Sequence, residues 1–119
     1  MLPKANRLTR KKDFDRVFRF GRDFRCGALC LRVVDNNLDI SRFGFIVGKR
    51  VSKKAVVRNR IRRRIREIVR INIGMIKSGI DYVFIVRQGL SGKDQNNLGA
   101  AVTSVLNKAG ILNNKSFLQ

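Results

Sequence analysis

The stretch that decides the reading is Ala55-Val56-Val57-Arg58-Asn59-Arg60-Ile61-Arg62-Arg63-Arg64-Ile65-Arg66-Glu67-Ile68-Val69-Arg70-Ile71. Val57, Ile61, Ile65, Ile68 and Ile71 recur at three- and four-residue steps, the period of a helix with one apolar face. Arg58, Arg62, Arg66 and Arg70 form a four-residue ladder beside and behind that face. Asn59 and Arg63 widen the polar side, and Arg60 sits on its flank. Arg64 falls near the apolar stripe, where its stem packs and its head reaches water. Like charges at this spacing destabilise an isolated helix, and Glu67 is the sole acid in the stretch. Arginine forks grip phosphate oxygens in pairs, whereas lysine acts as a point charge. The ladder spans ~18 Å at the helical rise.

The charge continues outward from the helix. Gly48-Lys49-Arg50-Val51-Ser52-Lys53-Lys54 is too polar to bury and reads as a loop, so residues 49–70 hold eleven of the 27 basic side chains. The whole chain carries 27 basic against 8 acidic residues, a formal net charge of +19. Such an excess seeks a polyanion. Phosphate binding, a merely solubilising basic face and an anionic membrane surface all meet that description. The membrane reading is the weaker, because the opposite face is needed for packing and offers no Trp or Phe to insert. A DNA-reading helix would need Gln or Asn beside its arginines, and Asn59 is the only one mid-helix. No DNA and no membrane partner is therefore expected.

Around this helix, Thr9 is a candidate N-cap for a short helix carrying Phe14, Val17 and Phe18, with Gly21 to end it. Residues 22–34 contain one strand, Ala28 to Val34, bounded by Asp35-Asn36-Asn37. Arg42 to Val47 is a second strand. Gly74 or Gly79 ends the arginine helix. Asp81 to Arg87 is a nearly continuous apolar run, the mark of a central strand. Asn96 to Ala109 is a last helix closed by Gly110. The order of helix, strands, helix, strand, helix defines an α+β sandwich, one sheet with helices packed against it. At 119 residues, a single domain is expected over 1–119, with 1–5 and 111–119 peripheral.

Catalytic chemistry is hard to build here. The chain has no His, which removes the usual general base and the Ser-His-Asp and Cys-His sites. Its acids, Asp13, Asp15, Asp23, Asp35, Asp39, Glu67, Asp81 and Asp94, are scattered and suggest no protein-bound metal. Cys26 and Cys30, on one extended segment, would stand ~13 Å apart on the same side, too far for a disulfide. No apolar run approaches a membrane span, and the N-terminal residues lack a secretory signal, so a cytoplasmic protein is expected. Phe14, Phe18, Phe20 and Phe24 crowd near the first helix among Arg7, Arg10, Lys11, Lys12, Arg16, Arg19, Arg22 and Arg25. They are either ordinary core or a stacking platform for unpaired bases.

Gly44-Phe45-Ile46-Val47-Gly48-Lys49-Arg50-Val51 followed by Ala55-Val56-Val57-Arg58-Asn59-Arg60-Ile61-Arg62-Arg63 resembles the bacterial ribonuclease P protein family, whose signature is the Arg-Asn-Arg box. Asn6-Arg7-Leu8, Asp13-Phe14-Asp15-Arg16-Val17-Phe18 and Asp81-Tyr82-Val83-Phe84-Ile85-Val86-Arg87 match it too, so the likeness covers roughly residues 6–109. The resemblance implies one mixed four-stranded sheet in the order α-β-β-β-α-β-α, with a left-handed crossover through the Arg-Asn-Arg helix. It implies a subunit of the endonuclease that removes the 5′ leader from precursor tRNA, the hydrolysis being performed by a catalytic RNA with bound Mg2+. Lys49, Arg50, Lys53, Arg58, Asn59, Arg60, Arg62, Arg63 and Arg66 would bind that RNA. Arg7, Phe14, Phe18, Leu31 and Phe45 would line a cleft for the precursor leader. Family members often place an aromatic on the first long strand facing the cleft; here Leu31 takes the matching place in Ala28-Leu29-Cys30-Leu31. The alternative is a non-catalytic RNA-binding module, such as a ribosome-associated protein, using the same helix.

Overall fold

The computed structural model describes residues 2–87 and 97–111. After a short 3₁₀ turn at Lys4–Asn6 come α1 (Lys11–Phe20), β1 (Arg22–Cys26), β2 (Leu29–Asp35), β3 (Arg42–Val47), α2 (Ala55–Ile71), β4 (Ile80–Val86) and α3 (Leu98–Ala109). The four strands form one mixed sheet in the order β1-β2-β4-β3. β1 pairs antiparallel with β2, and β2 with β4, while β3 runs parallel to β4. Parallel neighbours need a crossover, and α2 supplies it.

Residues 22–34, where the residue pattern shows one strand and the resemblance implies a further one, form a hairpin. Gly27 turns it at φ +59°, a conformation open to glycine, and pairs Cys26 with Leu29. Cys26 and Cys30 therefore stand on neighbouring strands and face opposite sides of the sheet, where both are free thiols. The disulfide is excluded by the pleat rather than by distance along one strand.

Alternation across the pleat builds two cores. Leu29, Leu31, Val33, Phe43, Tyr82, Phe84 and Val86 face α2 and α3, meeting Ile61, Ile65, Ile68, Val69, Val102 and Leu106. Phe43 stacks on Tyr82 at 4.9 Å and Phe45 on Phe84 at 5.7 Å between ring centroids. Each isoleucine or valine fully buried here stabilises by about 1.5–3 kcal/mol relative to exposure. Cys30, Val83 and Ile85 face the other way and meet Val17 of α1, Leu8 and the partly buried Phe14.

Several expectations shift. α1 begins one residue later than a Thr9 cap requires; Arg10 holds the N-cap position with no side-chain bond. On α2 the buried stripe is completed by Val69, leaving Ile71 40% exposed and Arg64 in solvent. α2 ends at Ile71, before either glycine, and Asn72 is buried with its side chain donating to the Ile68 carbonyl. Neither terminal segment is wholly peripheral, because Leu2 and Ile111 are core residues; positions 112–119 lie outside the described residues, as does Asn96.

The open edge of β3 is partly covered. Leu8 donates its backbone N–H to the Phe43 carbonyl at 2.9 Å, Arg7 bridges Phe43 in parallel register, and the Asn6 side chain donates to the Ser41 carbonyl at 2.8 Å.

Candidate nucleic-acid interface

α2 fixes the basic side chains by burying its other face. The four-residue ladder, however, runs along the helix flank, and each member has a partner within the chain. Arg58 turns back and donates to the carbonyls of Ser52 and Lys53 at 2.9 and 3.0 Å, tying the loop before the helix to its first turn. Arg62 donates to the Asn59 amide oxygen. The Arg66 guanidinium lies 5.6 Å from the centre of the Phe45 ring, a cation–π contact. Arg70 pairs with Glu67, and that hydrogen bond lowers the Glu67 pKa while raising that of Arg70.

The outermost charges are others. Arg60, Arg63 and Arg64 on α2, with Lys49, Arg50, Lys53 and Lys54 before it, are exposed and make no ion pair among the described residues. An isolated helix would resist this arrangement; here the buried stripe holds it, and the cations are left for an anion. Asn59 lies among them, exposed.

The expected leader residues divide. A cavity of about 240 Å³ opens at the β3 edge and is lined by Arg7, Phe14, Phe45 and Arg66, together with Leu2, Leu8, Thr9, Phe43 and Gly44. Phe14 comes from one face of the sheet and Phe45 from the other; they meet around the edge strand. Gly44 makes this possible, since a Cβ there would lie 2.6 Å from the Phe14 ring. Phe18 stands outside this cavity, 43% exposed on α1.

Leu31 does not line a cleft. It is fully buried and shares the α2–α3 face with Phe84 and Phe45. A one-residue change of register reverses every side chain of a strand, and the residues of β2 that face α1 are Cys30, Arg32 and Val34. The Arg32 guanidinium donates to the carbonyls of Val17, Phe18 and Gly21 at 3.2, 2.8 and 2.9 Å and pairs with Asp23 at 2.9 Å. It thus caps the C-terminal end of α1.

The other end of α1 is tied by Asp13, whose carboxylate lies 3.3 Å from Arg42 on β3. Arg42 in turn makes a two-pronged contact with Asp81, at 2.8 and 2.7 Å. Asp81 is fully buried and also accepts from Asn36 at 2.9 Å. Hydrogen bonding to Asp81, stronger than the opposing effect of burial, raises the Arg42 pKa. Sequence reasoning passed over Arg32, Arg42 and Asp81. A lone Asp inside the apolar strand Ile80–Val86 was the available signal, because a buried carboxylate requires a partner.

Among the described residues no three His, Cys, Asp or Glu side chains gather as a metal site, and no helix is long and apolar enough to cross a membrane. Fold and surface together define a small basic α+β protein with an arginine-rich helix on one face of its sheet. Residues 2–110 match the family described as Ribonuclease P. The ribonuclease P protein component of Clostridium botulinum (strain 657 / Type Ba4) is 39% identical over 111 residues, covering 92% of this chain and 99% of that one. That of Roseiflexus castenholzii is 44% identical over 112 residues, covering 93% and 91%. Among solved structures, the RNase P protein of Staphylococcus aureus superposes with a TM-score of 0.80 at 27% identity, covering 92% of this chain and all of that one. The RNase P protein of Thermotoga maritima gives 0.76 at 31%, covering 86% and 96%.

The chain belongs to the ribonuclease P protein family. It is an RNA-binding subunit of the ribonuclease P endonuclease, which acts in tRNA 5′ processing, and its partner is the RNase P RNA.

Proposed function

We propose that the outer basic face, Lys49, Arg50, Lys53, Arg60, Arg63 and Arg64 with Asn59 among them, docks the chain on the RNase P RNA. In this reading Arg58 and Arg62 order the docking surface, and the cavity at the β3 edge holds single-stranded leader of precursor tRNA. The carrying observation is the set of exposed arginines that the helix gathers on one side and leaves unneutralised. Within the cavity, Phe14 and Phe45 offer ring faces, which stack any base. Arg66 is held over one of those rings and Arg7 beside them, where each can meet a phosphate. Phe18 extends this surface along α1. Leu31 has no part in it.

The chain's own residues bind and orient RNA; they supply no proton transfer. Mg2+ belongs to the RNA partner in this reading. The carboxylates of the described residues are a poor fit for the ion, since Asp13, Asp15, Asp23, Glu67 and Asp81 are each paired with a cation of the chain and the unpaired Asp35 and Asp39 join no group of three. Residence in the cytoplasm follows from the same partnership.

The test is reconstitution with RNase P RNA. Precursor tRNA cleavage at low magnesium should be restored. If about 6–10 phosphates are met, affinity for the RNA should fall by ~10³–10⁵-fold between 50 and 200 mM salt, taking duplex DNA as the guide. A flat salt response would overturn the docking face. RNA binding without any gain in cleavage would favour a non-catalytic RNA-binding module.

A further inference from the structure

α1 crosses the sheet, and a cavity lies at each of its ends. The one at its N-terminal end contains Phe14 and Gly44. The one at its C-terminal end, about 200 Å³, is lined by Phe20, Arg22, Val33, Val34, Asp35, Ile80 and Ile111. Phe20 is 66% exposed, the most exposed large apolar side chain among the described residues. The Arg19 guanidinium lies 5.4 Å from its ring centre, and that of Arg22 lies 5.8 Å from the ring of Phe24. Arg16 closes the rim by donating to the Asp35 carbonyl.

Phe20 and the arginines beside it do not serve the core, although Val33, Ile80 and Ile111 of the lining do. Phe20 belongs to neither apolar cluster, and four arginines within ten residues, Arg16, Arg19, Arg22 and Arg25, repel one another. Two local negative features would normally deter an anion. The carbonyls of the last helical turn carry the negative end of the α1 dipole, and Asp23 carries a charge. Arg32 covers both, through its bonds to the Val17, Phe18 and Gly21 carbonyls and its ion pair with Asp23.

We infer that Phe20, Arg19 and Arg22 form a second nucleotide site, which holds the upstream part of the precursor leader. This rests on the leader reading of the β3-edge cavity. A base stacks on the open face of Phe20, its phosphates meet Arg19 and Arg22, and the Asp35 carboxylate can accept from an exocyclic amine. A strand seated at Phe14 advances six residues along α1, about 9 Å at 1.5 Å per residue, and crosses its outer side past Phe18 to arrive there. A leader too short to reach this end is held by the first cavity alone.

The experiment compares Phe20→Ala and Arg19→Gln holoenzymes, assembled with RNase P RNA, with the unaltered one. The ligands are mature tRNA, precursor tRNA with a leader of about 4 nucleotides, and precursor tRNA with one of about 16, the bounds of a common single-strand site. Phe20→Ala should weaken only the long-leader complex, by roughly 5- to 150-fold for one lost base stack. Phe20→Trp should keep that affinity, and the melting temperature should not move. Arg19→Gln should weaken the same complex less and steepen nothing else.

Unchanged affinity at every leader length overturns this second site. In that case Arg66→Ala, which alters the first cavity, decides the reading beneath it. Weaker precursor binding by Arg66→Ala leaves the first cavity standing, and no change removes both. Equal weakening of mature tRNA, or of assembly with RNase P RNA, by Phe20→Ala would assign the patch to another strand and also overturn the inference.

Discussion

α1 and α2 are both amphipathic and strongly basic, yet the sheet holds them by different means. α2 buries four side chains, Ile61, Ile65, Ile68 and Val69, and needs no ion pair to stay in place. α1 buries only Val17 completely and is clamped by polar contacts at both ends. Arg42, itself gripped by Asp81, holds Asp13 at one end, and Arg32 holds the last carbonyls at the other. The difference shows in what each helix leaves over. Apolar attachment leaves α2 with exposed arginines, while polar attachment leaves α1 with exposed phenylalanines, Phe18 and Phe20.

The comparison breaks most completely at Arg42. Arg42→Leu strands the Asp81 carboxylate in the interior, and removing one partner of a buried pair costs roughly 3–5 kcal/mol. Denaturant unfolding should show the loss, and an unchanged midpoint would mean that α1 is not held by this clamp. Ile65→Ala tests the other helix, with an expected cost of about 2–5 kcal/mol for a large-to-small core change. Its basic face would lose its frame, so RNA affinity should fall along with stability.

Arg63→Ala sharpens the contrast, because that side chain is exposed and makes no hydrogen bond or ion pair among the described residues. Its melting curve should coincide with that of the unaltered protein, while assembly with RNase P RNA weakens by roughly 1.5–3 kcal/mol, the range for a charged hydrogen bond. Arg58→Ala should instead affect both readouts, since it also ties down residues 52 and 53.

The smallest effect separates the two cores by pH. Tyr82 lies in the α2–α3 core, where burial, aided by the Asp35 charge, raises its phenol pKa above the usual 10.0. The unfolded chain then ionises first, so stability is full below pH 10 and declines as pH rises beyond it. Tyr82→Phe should remove that decline. At neutral pH it should lose only the bond to the Lys77 carbonyl, about 0.5–1.5 kcal/mol. Tyr82 is the only tyrosine and there is no Trp, so phenolate absorbance reports this residue alone.

The parts of this design that one segment determines by itself were readable in order of residues. The period of Ile61, Ile65 and Ile68 marks α2, and the unbroken apolar run of β4 marks a central strand. Residue pattern alone shows one strand in 22–34, because Gly27 is a single turn residue between two short runs; the extra strand comes from the family resemblance. The facing of β2 was misread for a related reason. Leu29, Cys30 and Leu31 are all buried, so hydrophobicity alone cannot tell which of two covered faces each one joins. The inward side of α1 is set by Arg32, Arg42 and Asp81, contacts that span 15, 29 and 39 residues of chain. No local pattern encodes pairings of that length, and the cavity at the β3 edge depends on all of them together.

The strip of chain laid along β3 has a bearing on what that strand can offer to another chain. β3 ends the sheet, and a bare strand edge is a template for pairing with another chain. The bond from Leu8 to Phe43 and that from Asn6 to Ser41 occupy part of that edge with the protein's own N-terminal segment. Arg7 and Leu8, which form one wall of the β3-edge cavity, thus also guard part of an edge that would otherwise be open to another chain. A chain shortened past Leu8 would lose the wall and the guard in one step.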